Sequence, residues 1–303
     1  MKRLPLEDFF RNSERTAYQL SPDGRQISYM APWNDRLNVF VRPVGRPDTE
    51  SVRITAETER SVAGYMWADN ERLLFMKDTA GDENYQLYGV RNDGSDLRAY
   101  TAFPGVRSSI IDDLEEQPGF VLIGMNQRNP EVFDPYRLNL ETGELTLLAE
   151  NPGNIQGWMT DHNGALRVAT AIVDGVNTQI LYRDSEDEPF RAVLTTNFRD
   201  LVGFMEFTPD NREVYAATNL NRDKTVLVRM NPATCEELEL LYENADYDIA
   251  SISYSRKRKK LLSVYCTGHK EPIRHYFDEE EKALRERIKA HFPDKRFGVA
   301  DTD

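Results

Sequence analysis

The stretch Y-Q-L-S-P-D-G-R-Q-I-S-Y-M, residues 18–30, has the pattern of a β-hairpin. Two short apolar segments flank Ser21-Pro22-Asp23-Gly24, a turn in which proline restricts φ and glycine accepts a positive φ. One hairpin carries no function, so the informative question is whether the sequence repeats it.

The hairpin recurs five more times along the chain. The copies lie at residues 64–76, 110–124, 157–169, 204–216 and 252–264. The matching turn positions are Gly24, Asn70, Gly119, Gly164, Asn211 and Arg258. Successive positions are separated by 46, 49, 45, 47 and 47 residues. Each unit continues with a third apolar segment, and most end in a fourth, such as residues 145–148. The sequence thus contains six repeats of about 47 residues, each offering four strands.

This repeat is typical of a β-propeller blade, a four-stranded unit that buries both of its faces only against neighbouring blades. The WD signature of WD40 blades is absent, because no aspartate follows Trp33, Trp67 or Trp158 at the required position. A two-sheet β-sandwich also has regularly spaced strands, but it does not explain six copies of one hairpin at a long fixed period. We therefore predict an all-β propeller with six visible four-stranded blades.

One segment, residues 278–292, departs from the β pattern. Asp278 is a candidate N-cap with Glu281 at the third helical position, Leu284 and Ile288 are four residues apart, and Pro293 ends the segment. The sequence predicts an amphipathic helix here. We divide the chain into an N-terminal arm (1–15), a propeller (16–292) and a tail (293–303), which we expect to be the start of a truncated seventh blade.

Composition restricts the partners. The 303 residues carry a formal net charge of −13 along the whole length, whereas nucleic acids and anionic membranes require a basic face. Cys235 and Cys266 are 31 positions apart, which favours two buried thiols over a disulfide, metal or redox motif. No leader-like or membrane-spanning apolar run is visible, so a cytoplasmic location is expected, or a periplasmic one if a signal peptide was removed.

Known catalytic motifs are missing. The sequence contains no G-x-S-x-G, H-E-x-x-H, G-x-x-x-x-G-K or G-x-G-x-x-G. His162, in a predicted turn, and His291, at a helix end, are expected at the surface, and the basic run 256–260 is expected to form a solvated turn. The glutamates at 279–281 could hold a cationic group, although their place in a helix's first turn already explains them. We assign no catalytic, cofactor-binding or metal-binding residue, and no cofactor.

The lead-in L-E-D-F-F-R-N (residues 6–12), joined to the first hairpin and to Asn38-Val39-Phe40-Val41-Arg42, resembles the N-terminus of bacterial peptidases of the prolyl oligopeptidase family. The similarity is greatest to the dipeptidyl aminopeptidase and acylaminoacyl-peptidase branch, and it extends more weakly to about Phe292. In that family a propeller, usually seven-bladed, precedes an α/β-hydrolase domain that holds a Ser, Asp and His triad. No position here matches a triad residue.

The resemblance implies a role in limiting substrate access. In the family the propeller caps the active site, so that only short or unfolded peptides enter. The expected partners are therefore a hydrolase domain of the same parent chain and peptide substrates, with no nucleic acid and no membrane. A free-standing propeller that binds a protein or peptide is an alternative, and a metal-dependent propeller hydrolase is another.

Overall fold

Each of the six hairpin units forms its own antiparallel sheet in the computed structural model, which describes residues 5, 6, 9, 13–268, 273–295 and 297–299. Within every sheet the strands lie in chain order, each paired with the next. Five sheets have four strands, and the sixth has three among the residues described, followed by the helix. We call these sheets blades 1 to 6.

The strands of the first three blades have the following bounds. Blade 1 contains β1 (Thr16–Leu20), β2 (Gln26–Trp33), β3 (Arg36–Pro43) and β4 (Val52–Arg53), with a 3₁₀ turn at Asp48–Glu50. Blade 2 contains β5 (Gly64–Trp67), β6 (Arg72–Lys77), β7 (Gln86–Arg91) and β8 (Arg98–Ala99). Blade 3 contains β9 (Ser108–Asp112), β10 (Phe120–Asn129), β11 (Val132–Asn139) and β12 (Leu145–Leu147).

The remaining blades follow the same plan. Blade 4 contains β13 (Ile155–Thr160), β14 (Leu166–Val173), β15 (Asn177–Tyr182) and β16 (Arg191–Thr196). Blade 5 contains β17 (Val202–Phe207), β18 (Val214–Thr218), β19 (Val226–Met230) and β20 (Glu237–Tyr242). Blade 6 contains β21 (Ile249–Ser255), β22 (Lys260–Cys266) and β23 (Ile273–Tyr276), and α1 (Glu279–His291) comes next.

The turn between the first two strands is built from the same local bonds in distant blades. In blade 1 the Ser21 hydroxyl donates to Asp23 Oδ1 at 2.7 Å, and the Gly24 amide donates to the Ser21 carbonyl at 2.8 Å with φ at +68°. In blade 5 Thr208 takes the place of Ser21 with the same 2.7 Å hydroxyl bond to an aspartate, and Asn211 has φ at +59°. Glycine and asparagine tolerate this left-handed conformation, so both sequences close the hairpin in the same way.

The hydrophobic core consists of five clusters, one between each pair of consecutive blades. Side chains alternate across a strand, so a middle strand of blades 2 to 5 supplies two clusters. In β6, Leu73 and Phe75 pack towards blade 1, whereas Leu74 packs towards blade 3. In β10, Val121 packs towards blade 2 and Leu122 towards blade 4. This two-sided burial confirms the propeller prediction.

The first strands of the blades lie next to one another around an axis, since β1 contacts β5, β9 contacts β13 and β17 contacts β21. Their turns meet at one end of that axis. The Asp23 amide donates to Asn70 Oδ1 at 2.9 Å, and the His162 amide donates to Asn211 Oδ1 at 3.0 Å. Each of these bonds joins a turn to the turn of the next blade. We call this end of the propeller the hairpin face.

The helix has the predicted start. The Asp278 carboxylate accepts the Glu281 amide at 2.8 Å and also pairs with Lys260 and Arg258 of blade 6. Hydrogen bonds lower the pKa of Asp278 to about 2. The bond from Lys260 has the largest effect, and the bond from the Glu281 amide has the next largest. The helix is thereby attached to the last described hairpin. No helix within the described ranges is both long and apolar enough to cross a membrane.

Both cysteines are free thiols in the described structure, as predicted. Cys266 is buried, and Cys235 is only partly buried. Burial raises the pKa of the Cys235 thiol to about 11. The domain boundaries at residues 15 and 292 stay predictions, and residues 7, 8 and 10–12 of the lead-in lie outside the described part of the chain.

A substitution at Gly89 in β7 tests how closely blades 2 and 3 pack. A Cβ at this position would lie 2.7 Å from Tyr100 Cε2, and the buried Tyr100 hydroxyl is bonded to the Leu140 carbonyl at 2.7 Å. We expect Gly89→Ala to lower the free energy of unfolding by about 1–3 kcal/mol, because the ring cannot move without losing that bond. Denaturant unfolding measures the change.

The matched control is Gly203→Ala in β17, where a Cβ would meet nothing within 4 Å. This variant should be neutral or stabilised by up to about 1 kcal/mol, since alanine restricts the unfolded chain. Equal losses in the two variants would contradict the close packing at Gly89.

Candidate functional site at the propeller axis

Charged and aromatic side chains from blades 3 to 6 converge at the axis near the hairpin face. Blade 3 supplies Asp112 and Asp113, blade 4 supplies His162, blade 5 supplies Glu206, and blade 6 supplies Tyr254 and Arg256. All of them lie at the end of a first strand or in the turn that follows it. We call these six residues the axial cluster.

Arg256 connects two blades that are not neighbours. Its Nη1 donates to Asp113 Oδ1 at 2.6 Å and lies 3.6 Å from Asp112 Oδ1, so the contact links positions 143 residues apart. Burial lowers the pKa of Arg256, but the carboxylates of Asp112, Asp113 and Glu206 outweigh that effect and raise it overall. The guanidinium is thus a fixed positive charge among three carboxyl groups.

Two of those carboxyl groups are shifted towards the neutral form. Burial raises the pKa of Asp113, and the charge of Asp112 adds to this, although Arg256 opposes it. Burial also raises the pKa of Glu206 against the attraction of Arg256 and His162. Such opposed effects are common where charges are concentrated in a cleft, at functional sites and in structural ion-pair networks alike.

His162 lies inside the cluster. Its Nε2 is 2.9 Å from the Phe207 carbonyl oxygen, and since that oxygen only accepts, Nε2 carries the proton. Nδ1 lies 4.0 Å from Glu206 Oε1, and the imidazole stacks on the Tyr254 ring with 5.2 Å between centroids. The side chain is 11% exposed, so the prediction of a surface histidine was wrong. The turn packs against the next two blades, which the local sequence could not reveal.

Tyr254 is the aromatic wall of the cluster. Its ring also lies 6.1 Å from that of Tyr215, and its buried hydroxyl has no hydrogen-bond partner within the described structure. Burial raises the pKa of Tyr254 to about 12. The phenol therefore stays neutral at physiological pH.

Two cavities adjoin the axial cluster. The larger has a volume of about 620 Å³ and is bounded by blades 1, 2, 3 and 6, and the smaller, of about 30 Å³, is bounded by blades 3 to 6. Leu114, Glu115 and Arg256 line both cavities. Leu114 is a buried residue with φ at +52°, and its amide donates to Asp112 Oδ1 at 2.8 Å. This unusual backbone conformation occurs in the segment that carries the acidic pair.

The arrangement offers charge and shape rather than a reactive group. Among the described residues, no three His, Cys, Asp or Glu side chains come together in a way that could hold a metal ion. The Thr160 hydroxyl donates to Asp112 and has no basic nitrogen beside it in the described contacts. The cluster can therefore bind, exclude or steer a polar ligand by its fixed charges.

Apart from Arg256 of the basic run, the other described residues considered in the sequence lie outside the axial cluster. The basic run is exposed, as expected of a turn, but four of its five cations form ion pairs. Arg256 pairs with Asp113, Lys259 pairs with Glu116, and both Arg258 and Lys260 pair with Asp278. Each of the three glutamates at 279–281 also has a cationic partner in the chain. His275 stacks on Tyr242 at 4.7 Å, His291 is exposed at the end of α1, and His269 lies outside the described residues.

Sequence reasoning missed the axial cluster as a site. In the turn of blade 6 the Lys259 amide donates to the Arg256 carbonyl, so Arg256 takes the place of Ser21 and Thr208 in blades 1 and 5. A long cationic side chain thus stands where those blades have a hydroxyl that bonds within its own turn. No local pattern, however, indicated that its partners would be Asp112 and Asp113 in blade 3.

Comparison with known proteins agrees with the fold. No family model matches the chain. It is 29% identical over 269 residues to dipeptidyl aminopeptidase BIII of Pseudoxanthomonas mexicana, covering 86% of this chain and 38% of that protein. It is 27% identical over 289 residues to dipeptidyl peptidase family member 6 of Caenorhabditis elegans, covering 88% of this chain and again 38% of the relative.

The structural comparison finds a similar fold at lower sequence identity. A prolyl endopeptidase structure superposes with a TM-score of 0.55 at 15% identity, over 82% of this chain and 38% of that one. The likeness at this identity supports the fold alone. The chain thus spans well under half the length of the curated relatives that it matches. By sequence it is a homologue of part of a dipeptidyl aminopeptidase and of part of a dipeptidyl peptidase, and its fold is similar to that of part of a prolyl endopeptidase.

Proposed function

We propose that this chain is the propeller of a serine peptidase that acts on short peptides, and that it limits the access of substrates to a hydrolase domain carried by the longer protein. The observation that carries the proposal is the similarity to two dipeptidyl peptidases over 86% and 88% of the chain. In both, a further part of the protein lies outside the matched region.

The physical properties of the ring suit this role. Five apolar clusters join consecutive blades, so the propeller is a rigid frame that selects by size at little entropic cost. The axial cavity of about 620 Å³ is within the range of sites that hold small molecules or short peptides. A folded protein cannot enter a space of that size.

The first part of the test examines the gene that encodes this chain and the activity of its complete product. The reading frame that contains the chain should encode a G-x-S-x-G motif together with aspartate and histidine partners. The complete product should hydrolyse a dipeptidyl chromogenic substrate, and a serine-directed organophosphate should abolish this activity. Residues 1–303 alone should show no turnover. A reading frame without a hydrolase domain would overturn the proposal.

The second part concerns access. We expect the complete protein to cleave a dipeptidyl substrate with a much higher kcat/KM than a long unfolded peptide, and to leave a folded globular protein intact. The control is the same folded protein after denaturation and digestion into short fragments, which should become substrates. Equal cleavage of the folded and fragmented forms would rule out a limiting role for the propeller.

A further inference from the structure

We propose that Arg256 is a gate at the propeller axis, a strap that holds blade 6 to blade 3 by ion pairs and separates the two axial cavities. The opening is a property of the ring itself. Its use in admitting peptides rests on the proposed function.

The strap consists of three ionic contacts between the same two segments. Arg256 Nη1 lies 2.6 Å from Asp113 Oδ1 and 3.6 Å from Asp112 Oδ1, and three residues later Lys259 Nζ lies 3.5 Å from Glu116 Oε1. Both cations belong to the turn between β21 and β22, and the three carboxylates belong to the end of β9 and the segment that follows it. The turn of blade 6 is thus attached across the axis at two points.

Blades 3 and 6 are held together differently from neighbouring blades. Each of the five apolar clusters joins blades that follow one another in the chain, and none of these clusters in the described structure joins blades 3 and 6. Four of the five side chains are exposed to solvent over a substantial part of their surface, namely Arg256, Asp113, Lys259 and Glu116, and Asp112 is 14% exposed. Exposed ion pairs contribute little to stability and are screened by salt, whereas salt does not screen the contacts of an apolar interface. The contact across the axis can therefore break while the blades stay intact.

Opening would join the two cavities. Arg256 lines both of them, together with Leu114 and Glu115. The smaller cavity lies on the inner side of Arg256, and Thr160 of blade 4 is buried there. Moving the guanidinium away from the aspartates removes the side chain that spans the axis, and Thr160 becomes accessible from the larger cavity.

The test measures the accessibility of that inner cavity. Thr160→Cys is introduced after Cys235 and Cys266 have been replaced by alanine, and the rate at which a small methanethiosulfonate reagent modifies the new thiol is followed. Arg256→Ala should raise this rate by about tenfold, because the closed form loses its main ionic contact. Salt at about 1 M, where the Debye length is about 3 Å, should raise the rate in the parent and have little effect in Arg256→Ala.

Two variants distinguish opening at Arg256 from a general destabilisation of the propeller. Arg212→Ala removes an arginine from the equivalent turn of blade 5, where it lies 3.9 Å from the adjacent Asp210, and the rate should stay at the parent value. Combining Arg256→Asp with Asp113→Arg should restore slow modification by reversing the pair.

An unchanged rate in Arg256→Ala, or no effect of salt on the parent, would overturn the gate. If Arg256→Ala does not fold, the salt dependence of the parent decides the question. The assay needs no hydrolase domain, so a negative result leaves the peptidase proposal intact. Conversely, a reading frame without a hydrolase domain would not alter the thiol rates.

Discussion

Phe207→Ala is expected to lower the free energy of unfolding by about 3–5 kcal/mol, the range found for deleting a buried aromatic side chain. Phe207 is 0% exposed and belongs to the cluster between blades 4 and 5. The Arg167 guanidinium also lies 5.0 Å from its ring centroid. The substitution leaves a cavity at a blade interface and removes this cation–π contact, and denaturant unfolding followed by circular dichroism measures the loss.

The control is Phe198→Ala, the same chemical change in the loop between β16 and β17. Phe198 is 73% exposed, so its removal should alter stability by no more than about 0.5 kcal/mol. A loss of similar size in both variants would mean that the interface between blades 4 and 5 is not packed as described.

Asp134→Ala is the second substitution with a large expected effect. Asp134 in β11 is 0% exposed, and its two oxygens accept Arg128 Nε at 2.8 Å and Nη2 at 2.9 Å. It also accepts the Asn151 amide at 2.6 Å. Removing it leaves a partly buried guanidinium and a buried amide without their acceptor, and we expect a loss of about 3–5 kcal/mol in the free energy of unfolding.

Asp223→Ala provides the matched comparison, because Asp223 also forms an ion pair, with Lys224 at 2.9 Å, but is 88% exposed. Exposed pairs contribute little, so the loss should stay below about 1 kcal/mol. Thermal unfolding of the three proteins under one buffer condition distinguishes the two cases. Similar midpoints for Asp134→Ala and the parent would contradict the buried bidentate pair.

The blades were predictable because the information that forms them is local. A turn such as Ser21-Pro22-Asp23-Gly24 specifies its own hydroxyl–carboxylate bond and its positive φ, and it closes a hairpin without help from the rest of the chain. The helix start was predictable for the same reason, since Asp278 and Glu281 are three residues apart. A regular spacing of such units then leads to the propeller.

Local reasoning was less accurate where the sixth unit departs from the others. Its matching turn position was placed at Arg258, whereas the left-handed residue is Lys259, with φ at +50°. Four cations in this turn are paired with acidic residues from other segments, so their positions depend on partners as well as on the turn. Consequently, the bounds of this unit were less predictable than its existence.

The axial cluster could not be predicted, because it exists only when blades 3 to 6 have packed together. Arg256 and Asp113 are 143 positions apart, and no spacing rule relates residues in blades that are not neighbours. His162 illustrates the same limit, because a histidine in a turn is usually solvated unless another blade covers it. The fold therefore followed from repeats, whereas the site depended on how the repeats are arranged in three dimensions.

The separation of the apolar clusters has a consequence for how the chain reaches its native state. Each cluster needs only two blades that are adjacent in sequence, so most stabilising contacts span fewer than about two repeats. Chains dominated by such contacts fold with little loop-closure cost. During synthesis, blades 1 and 2 can pack as soon as they leave the ribosome, and each new blade is added to a completed surface. Arg256 reaches Asp113 only at the end of this order, so this ion pair forms only after the sixth hairpin has been added to the blades that precede it.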